Sequence, residues 1–94
     1  MIQSLAQVAT TQPSRYLQQL CKHFAHKLPV SFDTEAGSIT FAAGRCQLAA
    51  REGVLELRAE AEDEARLHEV ENVVQRHLER FAFREPPTVL WQPA

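Results

Sequence analysis

The sequence predicts an α+β fold, a two-layer sandwich in which two helices cover one face of an antiparallel sheet. Apolar residues repeat with the helical period of about 3.6 in two segments and with a period of 2 through the middle of the chain. With 94 residues, 45% of them hydrophobic, the chain has room for one core, so we expect a single domain over residues 1–94. The predicted order of elements is β-α-β-β-β-β-α-β.

The first strand and the first helix are predicted from short-range signals. Residues 5–10 are partly alternating and free of helix breakers, which indicates a strand. Thr11 or Ser14 can cap the helix that follows. The helix should end at Leu28, because Pro29 disfavours helical geometry in the residue before it. Its apolar side chains fall on one stripe, namely Leu17, Leu20, Cys21, Phe24 and Leu28.

Four alternating segments between residues 30 and 61 predict a four-stranded antiparallel meander with one apolar and one polar face. The breaks between them contain Gly37, Gly44 and Gly53, so we expect all three glycines in hairpin turns. The polar face is expected to meet solvent, with a docking surface for a partner protein as the second interpretation. It should present Arg45, Gln47, Glu56, Arg58 and Glu60.

The second helix is predicted to begin at the acidic cluster of residues 62–64, because negative charge favours the positive end of the helix dipole. Its apolar stripe is Leu67, Val70, Val74, Leu78 and Phe81. We expect the acidic residues from Glu60 to Glu71 to be solvated, with Glu62 and Arg66 as a helical ion pair. Residues 84–87 interrupt the helix, and residues 88–92 are predicted to form a last short strand.

The composition excludes several classes of protein. A net charge of −2 gives no general attraction to nucleic acid, and no segment has the roughly 20 apolar residues needed to span a bilayer. Two cysteines are too few to stabilise a small secreted protein through disulfide bonds. We therefore expect a cytoplasmic protein that binds neither nucleic acid nor membrane.

Two segments and the end of the chain resemble a known family. They are residues 14–27 (SRYLQQLCKHFAHK), residues 76–85 (RHLERFAFRE) and Val89-Leu90-Trp91. They resemble the bacterial family catalogued as domain of unknown function 2218, and the resemblance runs over residues 8–91. That family has no assigned activity. Some members occur fused or adjacent to siderophore-interacting flavin reductases, so the resemblance implies a part in iron or siderophore handling and such a reductase as a partner. The order of elements also resembles the TATA-binding-protein-like fold.

Three histidines are the candidate ligand or metal residues. His23 and His26 share one face of the first helix and could supply two metal ligands, but a metal site needs at least three protein ligands. The favoured interpretation is that both lie on the surface, where they complement the helix dipole. His77 lies at the rim of the second stripe, and we expect it to be a partly buried residue that ties the helix to the sheet.

Other chemistry is not supported by the residue pattern. Cys21 and Cys46 both point inward, and small core residues are favoured over a disulfide or a redox pair. The sequence contains no phosphate-binding glycine loop, no GxSxG elbow and no HExxH motif. The sequence therefore predicts no catalytic residue and no cofactor.

The resulting prediction is a non-enzymatic accessory or interaction domain. The alternative is a small metal-dependent or ligand-processing enzyme that uses His23, His26 and His77. Charge is unevenly placed, since residues 1–51 carry five basic and two acidic side chains and residues 52–94 carry five basic and ten acidic ones. This placement fits two helices whose dipoles are complemented, and it equally fits a surface with opposite patches that could form a homodimer.

Overall fold

The computed structural model describes all 94 residues, and it contains six strands and two helices. The elements are β1 (Ile2–Ala9), α1 (Pro13–Phe24), β2 (Val30–Phe32), β3 (Ala36–Thr40), β4 (Gly44–Arg51), β5 (Val54–Ala61), α2 (Glu64–Phe81) and β6 (Gln92–Pro93). The order of elements is the predicted one. The α+β class and the layered arrangement are therefore confirmed.

The six strands form one antiparallel sheet in the order β2-β3-β4-β5-β1-β6. The predicted meander is the run β2 to β5, and β1 pairs with β5 over its whole length, from Ile2 opposite Ala61 to Ala9 opposite Val54. This register places the apolar residues of neighbouring strands on the same face, where both helices cover them. The opposite face carries no helix.

The core is one continuous cluster between the helices and the covered face of the sheet. Leu17 and Leu20 of α1 and Val74 of α2 are fully buried, as the two predicted stripes require. Leu55 and Leu57 of β5 are buried beneath them at the centre of the sheet. Removing such side chains from water is the main source of stability in a domain of this size.

Both ends of α1 differ from the prediction. The N-cap is Gln12, and its side chain makes no capping hydrogen bond. Thr11 instead donates through its N–H and its hydroxyl to the Glu85 carboxylate, and Ser14 donates to a backbone carbonyl near β3. The helix ends at Phe24, whose carbonyl accepts from the N–H groups of both Lys27 and Leu28 and closes the chain into turns.

The start of α2 agrees with the prediction. Asp63 is the N-cap, and its carboxylate accepts from the backbone N–H of Arg66 at 2.8 Å. The Arg66 guanidinium lies 3.6 Å from Glu62 and 3.0 Å from Asp63. The Asp63 carboxylate thus satisfies one free N–H group of the first turn, and Glu62 forms the expected ion pair with Arg66.

The last strand and two of the glycines differ from the prediction. Only Gln92 and Pro93 pair with β1, so residues 88–91 are not a strand. The indole of Trp91 donates to Gln75 of α2 at 3.0 Å, which holds this segment against the helix instead of the sheet. Gly37 lies inside β3 and Gly44 is the first residue of β4, so only Gly53 lies in a turn. Glycine is needed at position 37 because a Cβ there would stand 2.8 Å from Cys21 Sγ.

The uncovered face of the sheet is polar, but it is not uniformly solvated. Glu60 is only 5% exposed, since Arg45 of β4 lies over it and donates at 2.7 Å. Gln3 of β1 donates to the same carboxylate, and Arg58 donates to Gln3. The expectation of a solvated Glu60 is therefore wrong, because side chains on neighbouring strands bury it.

Candidate functional site

The three candidate histidines line one cavity of about 630 Å³ between the end of α1, the β3–β4 turn and α2. We call it the histidine cavity. Its wall consists of His23, Phe24, His26, Lys27, Leu28, Phe41, Val73 and His77. The volume is in the range of small-molecule sites. No Asp or Glu is among the lining residues.

The rings of this cavity are in mutual contact. The His23 and His77 ring centroids lie 4.8 Å apart, and Phe24 lies 4.8 Å from His77 and 5.0 Å from His23. Phe41 meets Phe24 edge to face at 5.2 Å. Aromatic rings at these separations stabilise one another, so the wall is a connected set of rings rather than separate side chains.

His77 is held in one tautomer by its own helix. Its Nδ1 lies 2.7 Å from the Val73 carbonyl oxygen, and because a carbonyl can only accept, Nδ1 carries the hydrogen. The bond lies within α2, and the ring packs against His23 and Phe24 of α1. The expectation that His77 ties the helix to the sheet is therefore wrong, since it joins the two helices.

His23 lies in positive surroundings. Burial against its neighbours lowers the pKa of His23, and the nearby positive charges of His77, Arg80, His26 and Lys27 lower it further. The neutral imidazole is thus favoured at neutral pH. The prediction that His23 and His26 are exposed is correct. The ring that contacts His23, however, is that of His77 on the other helix, and the sequence did not predict this contact.

The structure contains no group of three or more His, Cys, Asp or Glu side chains arranged to hold a metal ion. His23 and His77 are neighbours, and His26 lies elsewhere on the wall of the same cavity. The sequence contains only a weak indication of the contact between His23 and His77. His77 lies four residues before Phe81, which places it at the rim of the apolar stripe of α2, but this spacing does not show which residue of α1 it meets.

A second cavity, of about 440 Å³, lies between β1, β6 and α2. We call it the tryptophan cavity, and it is lined by Ile2, Gln3, Ser4, Glu64, Leu67, His68, Glu71, Trp91, Gln92 and Pro93. Glu71 is only 9% exposed and accepts a hydrogen bond from the buried Ser4 hydroxyl. The expectation of a solvated Glu71 is wrong because this residue lies four positions after Leu67, on the buried side of α2.

The two cysteines are buried and free. Burial raises the pKa of Cys21 to about 11 and, together with the neighbouring Cys21, raises the pKa of Cys46 to about 12. Thiols in this state are poor nucleophiles and poor metal ligands. The prediction of small core residues agrees with this geometry.

The order of the elements and the single antiparallel sheet define a small two-layer α+β sandwich protein, which contains these two cavities. The sequence profile of the family described as "Uncharacterized protein conserved in bacteria (DUF2218)" matches residues 5–92. The chain therefore belongs to this bacterial family, and the resemblance seen in residues 8–91 is confirmed.

A solved structure is similar over the whole molecule. The NMR structure of PA4090 from Pseudomonas aeruginosa is 37% identical in sequence, with a TM-score of 0.84. The match covers 100% of this chain and 98% of that one. No curated protein matches the chain. No helix combines the length and the apolar composition needed to cross a membrane.

Proposed function

We propose that this chain is a non-enzymatic accessory domain that binds the anionic aromatic part of a small ligand in the histidine cavity. One observation carries the proposal. The wall contains a connected set of four aromatic rings and the cationic side chain of Lys27, and it contains no carboxylate. Rings provide flat apolar area for stacking, and the cationic groups around them attract negative charge.

The charges around the cavity are suited to an anion. Lys27 forms part of the wall, and Arg80 is close enough to His23 to influence its titration. Neither Lys27 nor Arg80 is in an ion pair within the chain. A bound carboxylate or phenolate would therefore gain a cationic partner without displacing an existing one.

Catecholate and phenolate groups of siderophores are small aromatic anions of this kind. Together with the occurrence of family members beside siderophore-interacting flavin reductases, the chemistry of the wall supports a link to siderophore handling. In that case the domain would hold the ligand and a reductase would be its protein partner. A homodimer stays a prediction, which sedimentation at low and high salt concentration would test.

The proposal is tested with 2,3-dihydroxybenzoate and its uncharged amide as the matched control. NMR titration of the ¹⁵N-labelled chain should show saturable shifts around His23 and His77 with the acid, and at least about tenfold weaker binding of the amide. Lys27→Gln should weaken binding of the acid, whereas His68→Gln, outside the cavity, should not. Equal binding of acid and amide, or shifts away from the cavity, would overturn the proposal.

The enzyme alternative is favoured by one observation, the contact between His23, with its lowered pKa, and His77. A neutral imidazole beside a second one could accept a proton from a bound ligand. The two functions are separated by prolonged incubation with 2,3-dihydroxybenzoate followed by mass spectrometry. Recovery of the unchanged compound supports binding alone, and conversion that disappears in His23→Gln supports the enzyme.

A further inference from the structure

We propose that the tryptophan cavity is a second ligand site, separate from the histidine cavity, and that it binds a small organic cation with a primary ammonium group. The two cavities lie on opposite sides of α2, since Glu71 and Val73 are about 200° apart around a helix of 3.6 residues per turn. Their charges are also opposite. The proposal therefore does not depend on the function proposed above.

The first support is the charge of the wall. Glu64 and Glu71 line the tryptophan cavity, and no Lys or Arg does. Glu64, His68 and Glu71 follow one another at spacings of four and three along one face of α2, so the carboxylates belong to the same wall. A cation entering this cavity would meet two carboxyl groups, with His68 between them as the one lining side chain that can become positive.

The second support is the state of Glu71. This side chain is 9% exposed, yet none of the four ion pairs of the structure includes it. Its Oε2 accepts from Ser4, and no hydrogen bond reaches Oε1. Because no fully buried side-chain oxygen lacks a partner, Oε1 keeps some contact with solvent. A largely buried carboxylate with one free oxygen is stabilised by a cationic donor.

The third support is the apolar part of the wall. The same cavity is lined by Trp91, Leu67, Ile2 and Pro93, and the Trp91 indole is fixed by its hydrogen bond to Gln75, one turn after Glu71. An aromatic ring beside a carboxylate favours an organic ammonium ion, which gains cation–π attraction and buries its carbon chain. A hydrated metal ion would gain little from this apolar surface.

Binding at this site can be followed directly, since Trp91 is the only tryptophan of the chain. The probe is n-butylammonium chloride, with n-butanol as the uncharged control and sodium and magnesium chloride at equal ionic strength as ionic controls. We expect a saturable change in tryptophan fluorescence with n-butylammonium alone. No saturable change, an equal response to n-butanol, or a response only to magnesium would overturn the proposal.

Two variants locate the site. Glu71→Gln keeps an oxygen that can accept from Ser4 but removes the charge, and it should weaken n-butylammonium binding about tenfold or more. Glu69→Gln changes an exposed carboxylate outside the cavity and should leave binding unchanged. Unchanged binding in Glu71→Gln would contradict the proposal.

A measurement on the wild-type chain keeps the test decisive if Glu71→Gln does not fold. NMR shifts caused by n-butylammonium should be confined to residues around Ser4, Glu71 and Trp91. Shifts centred on His77 or on the uncovered sheet face would overturn the second site. Because 2,3-dihydroxybenzoate is the probe for the histidine cavity, failure of either proposal is recognised independently of the other.

Discussion

His23 of α1 and His77 of α2 lie side by side, with their ring centroids 4.8 Å apart, and this contact joins the two helices at the edge of the core. Two imidazoles so close together cannot both become protonated without repulsion. Burial lowers the pKa of His23 most, and the charge of His77 lowers it further, so we expect the stability of this helix–helix junction to depend on pH.

The first prediction concerns this sensitivity. The pKa of His23 in the folded chain is lowered below its ordinary value of 6.5. Between the lowered pKa and 6.5 the unfolded chain binds more protons, so the contribution of His23 to stability is fully present above pH 6.5 and is lost as pH falls from 6.5 through the folded pKa. Urea unfolding at pH 7.5 and 5.5 should therefore show a smaller pH-dependent loss for His23→Gln than for wild type. His68→Gln, outside the cluster, should behave like wild type, and an identical loss in all three would contradict the prediction.

The second prediction compares two glycines. A Cβ on Gly44 would stand 2.1 Å from the carbonyl oxygen of Glu60 on the paired strand, so Gly44→Ala forces the β4 and β5 backbones apart. We expect a loss of about 3 kcal/mol or more in the free energy of unfolding. Gly53→Ala, at a turn with φ of +72° and open space around it, should cost only about 1–2 kcal/mol. Urea denaturation measures both, and equal losses would show that the strands can separate locally.

The third prediction concerns the thiols. Since burial raises the pKa of Cys21 to about 11 and that of Cys46 to about 12, less than about one molecule in a hundred carries a thiolate at pH 8. Ellman's reagent should therefore modify neither cysteine of the folded chain on a timescale of minutes. Both should react at once in 8 M urea, which serves as the control. Rapid reaction of one equivalent in the folded chain would show local opening of α1 or β4.

Local patterns predicted the elements of this fold well. The two apolar stripes and the alternation between residues 30 and 61 arise from burial on one face, which acts at every residue of an element. The start of α2 at the acidic cluster of residues 62–64 was predicted equally well, because the Asp63 cap and its partner Arg66 lie within one helical turn. Such features depend on neighbours in sequence.

The features that escaped prediction depend on contacts between distant segments. His23 meets His77, Ser4 meets Glu71, and Glu85 takes the hydrogen bonds of Thr11 that would otherwise be available for capping. Periodicity gives the face of each residue but not the neighbour it meets. The three candidate histidines do line one cavity, whereas the tryptophan cavity depends on the packing of β6 and Trp91 against α2.

The last prediction concerns the ion pair on the uncovered face of the sheet. Arg45 donates twice to one oxygen of Glu60, at 3.1 and 2.7 Å, and its side chain shields that carboxylate from solvent. Arg45→Ala leaves Glu60 with Gln3 as its remaining hydrogen-bond donor. Water enters only where the Arg45 side chain stood, so the carboxylate keeps one neutral donor and partial solvation, and the free energy of unfolding should fall by about 1–2 kcal/mol at pH 7.

The same sheet offers a matched control for this prediction. Arg51 pairs with Glu56 at 3.3 Å, but the Arg51 side chain is 65% exposed and Glu56 is less deeply buried than Glu60. Exposed pairs contribute at most about 1 kcal/mol, so Arg51→Ala should cost less than Arg45→Ala. The double variant Arg45→Ala with Glu60→Gln should recover part of the loss, because the uncompensated charge is gone. Equal losses in the free energy of unfolding for the two single arginine variants would contradict the prediction. So would a double variant that recovers none of the loss, because the contribution of Arg45 would then not come from its compensation of the Glu60 charge.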